Sequence, residues 1–259
     1  DVVREVNDEV LDWARNKTKE IAQLKQMAKY RKEFLGNVSH ELKTPIFNIQ
    51  GYVLTLQDGA IDDPEINQKY LRKAEKSINR MISIVEDLEA ITKLETGELK
   101  LNYEVFDIVE LFREVIDSQE LRAKEKGITL AINPKHDKHI KVEADKEHIY
   151  QVATNLIVNS INYGHENGKT EVSFIPMGEN ILVEVTDEGI GIAKKDIPRI
   201  FERFYRVDKS RSRKEGGTGL GLAIVKHIIE AHNQTINVRS SENEGSSFAF
   251  TLKEAKKHK

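Results

Sequence analysis

The chain has 259 residues, 32% of them charged and 39% hydrophobic, with a formal net charge of -3. That is enough chain for one large domain or two smaller ones, and the near-balanced charge gives no strong attraction to nucleic acid or an anionic membrane surface. With no cysteine, disulfide scaffolds, thiol chemistry and Cys-based zinc sites are excluded.

From Asp1 to about Asp58 the pattern is helical. Val3, Val6, Val10 and Trp13 follow a heptad spacing, and Leu24, Met27 and Phe34 resume it after polar Lys17 and Glu20. Such a stripe fits a solvated single helix or a parallel two-stranded coil. Within this helix His40 is followed by Glu41, and Thr44 lies one turn on, on the same face. An exposed imidazole beside a carboxylate is a nucleophile whose proton has somewhere to go. Pro45 removes one helical hydrogen bond and is expected to bend the axis just after His40.

Asp58 to Pro64 reads as a turn, with Pro64 suited to the first helical position. The next helix runs to about Glu95, with Ile66, Ala74, Ile78, Val85 and Ile91 on its apolar stripe. A two-helix hairpin cannot bury both stripes by itself. Either a second copy completes a four-helix bundle or a partner domain covers the stripe.

Thr96 to Leu99 breaks the helix, and 97–104 reads as a linker. Beyond Val105 the pattern is mixed. Helices are expected from about Ile108 to Lys126, from an Asp145 cap to Tyr163, and from Leu220 to His232. Strands are expected near 128–132, 140–142, 171–175, 181–186, 234–238 and 247–252, with a turn at Met177 to Asn180. Helices on one face of a mixed sheet make an α/β sandwich.

The second half carries a set of nucleotide-binding features. Asn155 and Asn159 are spaced i, i+4 on an otherwise apolar helix, with Asn162 and Tyr163 continuing the face. An amide oxygen suits Mg²⁺, which prefers oxygen ligands. Asp187 ends a strand before Gly189 and Gly191, where a carboxylate can accept a hydrogen bond from an adenine amino group. Gly217, Thr218, Gly219, Leu220 and Gly221 open a helix, and backbone amides there cradle phosphate. Lys209 to Gly217, polar and basic, reads as a flexible lid. His136 and His139 have a metal-like spacing but sit in a polar stretch that reads as a solvated loop.

These motifs, in this order from Met27 to Leu252, resemble the catalytic core of a sensor histidine kinase of the HisKA type. The resemblance implies an α plus α/β architecture. Residues 1–30 would be a signalling coiled coil and 31–96 a HisKA hairpin dimerising as a four-helix bundle. After the linker, 105–259 would be a Bergerat-type α/β sandwich binding ATP and Mg²⁺. It makes His40 the phosphoacceptor, with Glu41 orienting the ring or taking its proton, and gives Thr44 a phosphatase role toward the regulator. It assigns Asn159 to Mg²⁺, Asn155 to the γ-phosphate region, Tyr163 to adenine contact and Asp187 to adenine reading. Phe201 and Phe204 match an F box that anchors the lid. The implied partners are a second copy of the chain and a response-regulator receiver domain, with no nucleic acid. The chain opens on Asp1 and has no apolar run of membrane-span length, so it is expected to be the cytoplasmic portion of a longer, membrane-anchored protein. Two departures stand out. Lys43 replaces a common Arg, and Asn162 replaces a cation that reaches the phosphates. Arg206, Lys209, Arg211, Arg213 and Lys214 are the candidate compensating cations, Arg206 foremost. A nucleotide-binding scaffold without catalysis, or a free-standing ATPase with a dimerising hairpin, are the alternatives from other classes.

Overall fold

A computed structural model of the chain describes residues 2–95, 100–136, 139–207 and 217–255. The chain divides into two compact units, Asp1–Ile82 and Ser83–Lys259, so the second helix contributes to both.

In the first unit, α1 (Val2–Gln57) runs through Pro45 without interruption. A left-handed Gly59 and a short 3-10 turn (Ala60–Asp62) lead into α2 (Pro64–Glu95). The Asp63 carboxylate accepts from the backbone N–H groups of Glu65 and Ile66 at 3.0 and 3.2 Å, capping α2 just before the expected Pro64. The two helices pair as an antiparallel hairpin. Arg80 meets Glu41 at the far end, while the Tyr52 and Tyr70 rings lie 5.7 Å apart near the turn. Pro45, Leu56 and Ser77 are buried between them. Many apolar side chains are not covered by the hairpin itself: Trp13, Met27, Phe47, Ile78 and Ile82 all stand exposed.

The second unit is a two-layer α/β sandwich. Its strands are β1 (Tyr103–Asp107), β2 (Thr129–Ile132), β3 (Lys141–Asp145), β4 (Lys169–Met177), β5 (Asn180–Asp187), β6 (Ile236–Ser241) and β7 (Gly245–Lys253). Its own helices are α3 (Ile108–Glu125), α4 (Lys146–Tyr163) and α5 (Gly221–Ala231). The main sheet has the order β2-β4-β5-β7-β6, with only β2 and β4 parallel. Burial alternates along β4, which places Val172 and Phe174 on the inner face. Those side chains share one core with Phe112 of α3, Ile157 of α4 and Ile228 of α5.

Side-chain caps fix where the helices begin. Asp107 accepts from the N–H groups of Val109 and Glu110 to start α3. Asp145 does the same for α4 through the His148 N–H at 3.1 Å. The Asp145 backbone N–H donates to His232 Nε2 at 3.0 Å, so that ring is the Nδ1–H tautomer and donates to the Ile228 carbonyl at 2.8 Å. This ties the start of α4 to the end of α5.

Several features differ from the sequence expectation, among them β3 and β6, which run on to Asp145 and Ser241. Residues Tyr103 to Asp107 form a strand paired with β3, where a linker to 104 was expected. Only Phe106 of that strand is buried, so no alternation marks it. The hairpin strands β4 and β5 also extend past their apolar runs, meeting at a two-residue turn with left-handed Gly178. The expected break at Thr96 to Leu99 lies outside the described residues. No helix among the described residues is long and apolar enough to cross a membrane.

Candidate active site

His40 stands exposed on α1. Its neighbour Glu41 turns inward, and Arg80 Nη2 donates to Glu41 Oε2 at 2.8 Å, with both side chains less than a fifth exposed. The carboxylate next to the histidine is therefore held from the opposite helix. The Thr44 hydroxyl donates to the His40 carbonyl at 3.2 Å, which places it directly below the histidine on the same face.

The second group of residues surrounds an open cleft in the sandwich unit. Asp187, at the end of β5, lies on its floor and is only 7% exposed. Burial pushes its carboxyl up to about 6, against the opposing pull of the Gly189 and Ser246 N–H groups. Two glycines make this placement possible. A side chain on Gly191, whose φ is 65°, would run into the Ser241 carbonyl, and one on Gly245, at φ 92°, into the Asp187 carbonyl. Asn159 and Tyr163 line the cleft from α4, and the Tyr163 carbonyl accepts from the Ile190 N–H at 3.1 Å. Ile192, Ile200, Leu222 and Phe248 give apolar walls, while Tyr205 and Arg206 supply polar edges.

Beside the cleft, residues 217–220 lead into α5. Gly219 is left-handed at φ 76°, and its carbonyl accepts from the Phe204 N–H at 2.8 Å. Phe204 is itself left-handed at φ 59°, a strained conformation for a bulky residue, and the contact with Gly219 holds it there. Arg206 Nη2 donates to the Gly217 carbonyl. Thr218 Oγ1 accepts from the Leu220 N–H at 3.1 Å. The Asn155 amide oxygen lies 3.1 Å from where a Gly221 side chain would begin, so the middle of α4 borders the start of α5.

Residues 144–256 match the family described as histidine kinase-, DNA gyrase B- and HSP90-like ATPase, and residues 30–97 match the His Kinase A (phospho-acceptor) domain. The solved histidine kinase AdeS of Acinetobacter baumannii is 30% identical, with a TM-score of 0.66, over 84% of this chain and 98% of that one. The chain belongs to the histidine kinase family. The sensor histidine kinase WalK of Bacillus subtilis is 39% identical over 236 residues, which are 90% of this chain and 38% of WalK. The chain thus spans less than half the length of that relative. The histidine kinase ThkA, solved in complex with the response regulator protein TrrA, is 27% identical, with a TM-score of 0.69, over 88% of this chain and 63% of its own.

Within this chain the expected site residues fall into groups. Asn159, Tyr163, Asp187, Gly191 and Arg206 line one cleft, and Gly189 closes tightly against Asp187 and the Tyr163 carbonyl. Asn155, Phe204, Gly217, Thr218, Gly219, Leu220 and Gly221 gather at the start of α5. Asn162 is set apart from both. It is 6% exposed, its Oδ1 accepts from Arg122 Nη2 at 3.1 Å, and its carbonyl accepts from Lys126 Nζ at 3.1 Å. Lys209, Arg211, Arg213 and Lys214 lie outside the described residues. Sequence reasoning missed Ser246, whose backbone supports Asp187, and Arg80, which holds Glu41. The β5–β7 pairing brings Ser246 opposite Asp187, and no local motif announces a partner so distant in sequence.

The position of Asn162 gives a first prediction. Asn162→Lys places a second cation against Arg122 in a buried setting, so it is expected to destabilise the domain by about 1–3 kcal/mol without tightening ATP binding. Urea unfolding and nucleotide titration of the same variant check both halves. Tighter ATP binding would show that residue 162 reaches the phosphates.

Proposed function

We propose that this chain takes the γ-phosphate of ATP onto His40 and passes it to an aspartate of a response-regulator receiver domain. The observation that carries this reading is the pairing on one chain of two half-sites. One is an exposed helical histidine flanked by an anchored carboxylate, and the other is a cleft floored by a buried carboxylate beside a glycine-rich helix start.

In this reading Asp187 accepts the adenine amino proton, Tyr163 lies against the base, and the amides around Gly217 to Gly221 receive phosphate oxygens. The Asn159 amide oxygen, half-buried in the cleft wall, is a fitting Mg²⁺ donor, because that ion needs few protein ligands when phosphates and water complete its shell. Bound Mg²⁺ supplies charge neutralisation on the transferring group. Asn155 orders the γ-phosphate region. One imidazole nitrogen of His40 attacks in line. The N–P bond forms as the bond from the γ-phosphorus to the bridging oxygen breaks, and ADP leaves. Glu41 orients the ring or takes the proton from the other nitrogen. The phosphohistidine then donates to the regulator aspartate. Incubation with γ-labelled ATP is expected to yield protein-bound label that is acid-labile and base-stable. Phosphate release with no labelled protein would indicate a free-standing ATPase instead.

The exposed apolar side chains on both hairpin helices support a homodimer formed by a second copy. Ile78→Glu combined with Ile82→Glu is expected to convert the dimer to monomer in light scattering, and an unchanged mass would refute that surface. The reading also includes a reverse activity, with Thr44 positioning the water that hydrolyses the regulator's acyl phosphate. Thr44→Ala should leave autophosphorylation within about twofold but slow regulator dephosphorylation by roughly tenfold or more, since a positioned polar group is worth that much. Equal loss of both activities would mark Thr44 as structural beside Pro45. The full-length protein is proposed to be membrane-anchored, with 1–30 transmitting the signal to the 31–96 hairpin and 105–259 as catalytic domain.

A further inference from the structure

We propose that Asp87 is an internal competitor for the phosphate-binding loop, holding the Thr218 hydroxyl that a nucleotide phosphate must take before ATP can seat. The inference rests on the reading that Gly217 to Gly221 receives the phosphates.

Asp87 lies near the end of α2, 131 residues from Thr218, yet the Thr218 hydroxyl donates to its Oδ2 at 2.7 Å in a half-buried contact. The same hydroxyl oxygen accepts from the Leu220 N–H at 3.1 Å. Leu220 is the cap residue of α5. Its amide is one of the donors that a helix start leaves for an anion. The two donors best placed for a phosphate oxygen, the Leu220 N–H and the Thr218 O–H, are thus strung in series onto one carboxylate. Asp87 satisfies the helix start with an anion of its own, as a phosphate would.

This contact is no chance meeting of surface side chains. One turn beyond Asp87, Ile91 is fully buried in the core of the sandwich unit, and Leu88 and Ala90 pack against that core. The end of α2 is therefore docked, and Asp87 is docked with it. Burial also pushes the Asp87 carboxyl up to about 6, with the neighbouring charge of Glu86 adding to the rise and the Thr218 bond opposing it. An ionised carboxylate in such a place is tolerated because Thr218 satisfies it. An incoming phosphate brings a second negative charge to the same donors, so the two anions exclude one another. ATP binding and release of the Asp87 contact are then one linked equilibrium, in which anything that holds α2 against the loop weakens nucleotide.

The test is calorimetric titration of the whole chain with Mg-ATP, and separately with adenosine, in wild type, Asp87→Asn and Asp87→Ala. Asp87→Ala is expected to bind Mg-ATP about tenfold more tightly than wild type, equivalent to about 1.4 kcal/mol. Asp87→Asn keeps an acceptor for Thr218 but loses the charge, and is expected to fall between. Adenosine, which has no phosphates, should bind all three alike. Thermal melts identify any variant that fails to fold, and the near-isosteric Asp87→Asn carries the test if Asp87→Ala does so. If wild type binds no Mg-ATP, the nucleotide reading itself fails. If wild type binds but the variants bind equally or more weakly, Asp87 is a spectator or a metal-side ligand and the proposal is overturned. A gain that extends equally to adenosine overturns it too, because it would report general loosening rather than competition for phosphate.

Discussion

Replacing His40 with glutamine is expected to reduce protein-bound phosphate from γ-labelled ATP to background, while Mg-ATP affinity stays within about twofold of wild type. The amide nitrogen of glutamine is no nucleophile, since its lone pair is delocalised, so no stable phosphoamide forms. Glutamine is a good helix former, and the exposed position on α1 demands no packing, so the hairpin should keep its fold. The proposed nucleotide contacts come from α4, the ends of β5 and β7, and the start of α5, to none of which His40 belongs. The outcome is therefore a separation of binding from transfer. Acid-labile label persisting on the variant would move the phosphoacceptor elsewhere, and His139 would then be the first residue to replace. That ring is exposed, and with Nδ1 2.5 Å from Asp107 Oδ2 it keeps Nε2 as its free nitrogen.

How much of this was legible in the sequence follows from whether the signals were local. The helix starts at Asp107 and Asp145 and the turn before Pro64 are set by residues within a few positions, and the structure places all three there. The cleft residues Asn159, Tyr163, Asp187 and Gly191 were readable because helix period and strand ends fix the direction a side chain faces. The period does not say which neighbour waits along the axis. Asn155 and Asn162 share nearly the same azimuth on α4, yet the first meets the start of α5 and the second meets Arg122 at the end of α3. Strand β1 escaped notice because its pairing with β3 is satisfied through backbone groups, with only one inward side chain. Arg80 and Asp87 looked like ordinary polar positions on a charged helix. Their partners, Glu41 and Thr218, are far off in the chain, so only the folded structure reveals them.

Asp187→Asn is expected to weaken Mg-ATP by about 10–100-fold while raising the melting temperature of the free protein at pH 8, the two effects having one cause. In the free protein the folded carboxyl titrates near 6, against 3.8 for an ordinary Asp. A group raised in this way contributes stability that is fully present below about 3.8 and lost as pH rises through about 6. At pH 8 the ionised, buried Asp187 therefore costs on the order of 3 kcal/mol. Asparagine removes that cost while keeping an acceptor for the Gly189 and Ser246 N–H groups, so the variant should melt several degrees higher at pH 8. The advantage should vanish near pH 4, where the wild-type carboxyl is itself neutral. In the proposed reading the nucleotide uses the same charge, because an adenine amino group donating to a carboxylate makes a charge-assisted bond worth about 1.5–3 kcal/mol. Wild-type affinity should then be highest above about pH 6.5 and fall as pH drops through 6, with proton release on binding in that window, because the bound base draws the carboxyl back toward its ionised form. Calorimetry in two buffers of different ionisation enthalpy measures the released proton. A variant that melts no higher at pH 8, yet binds ATP as wild type does, would show that Asp187 neither carries the buried charge nor reads the base.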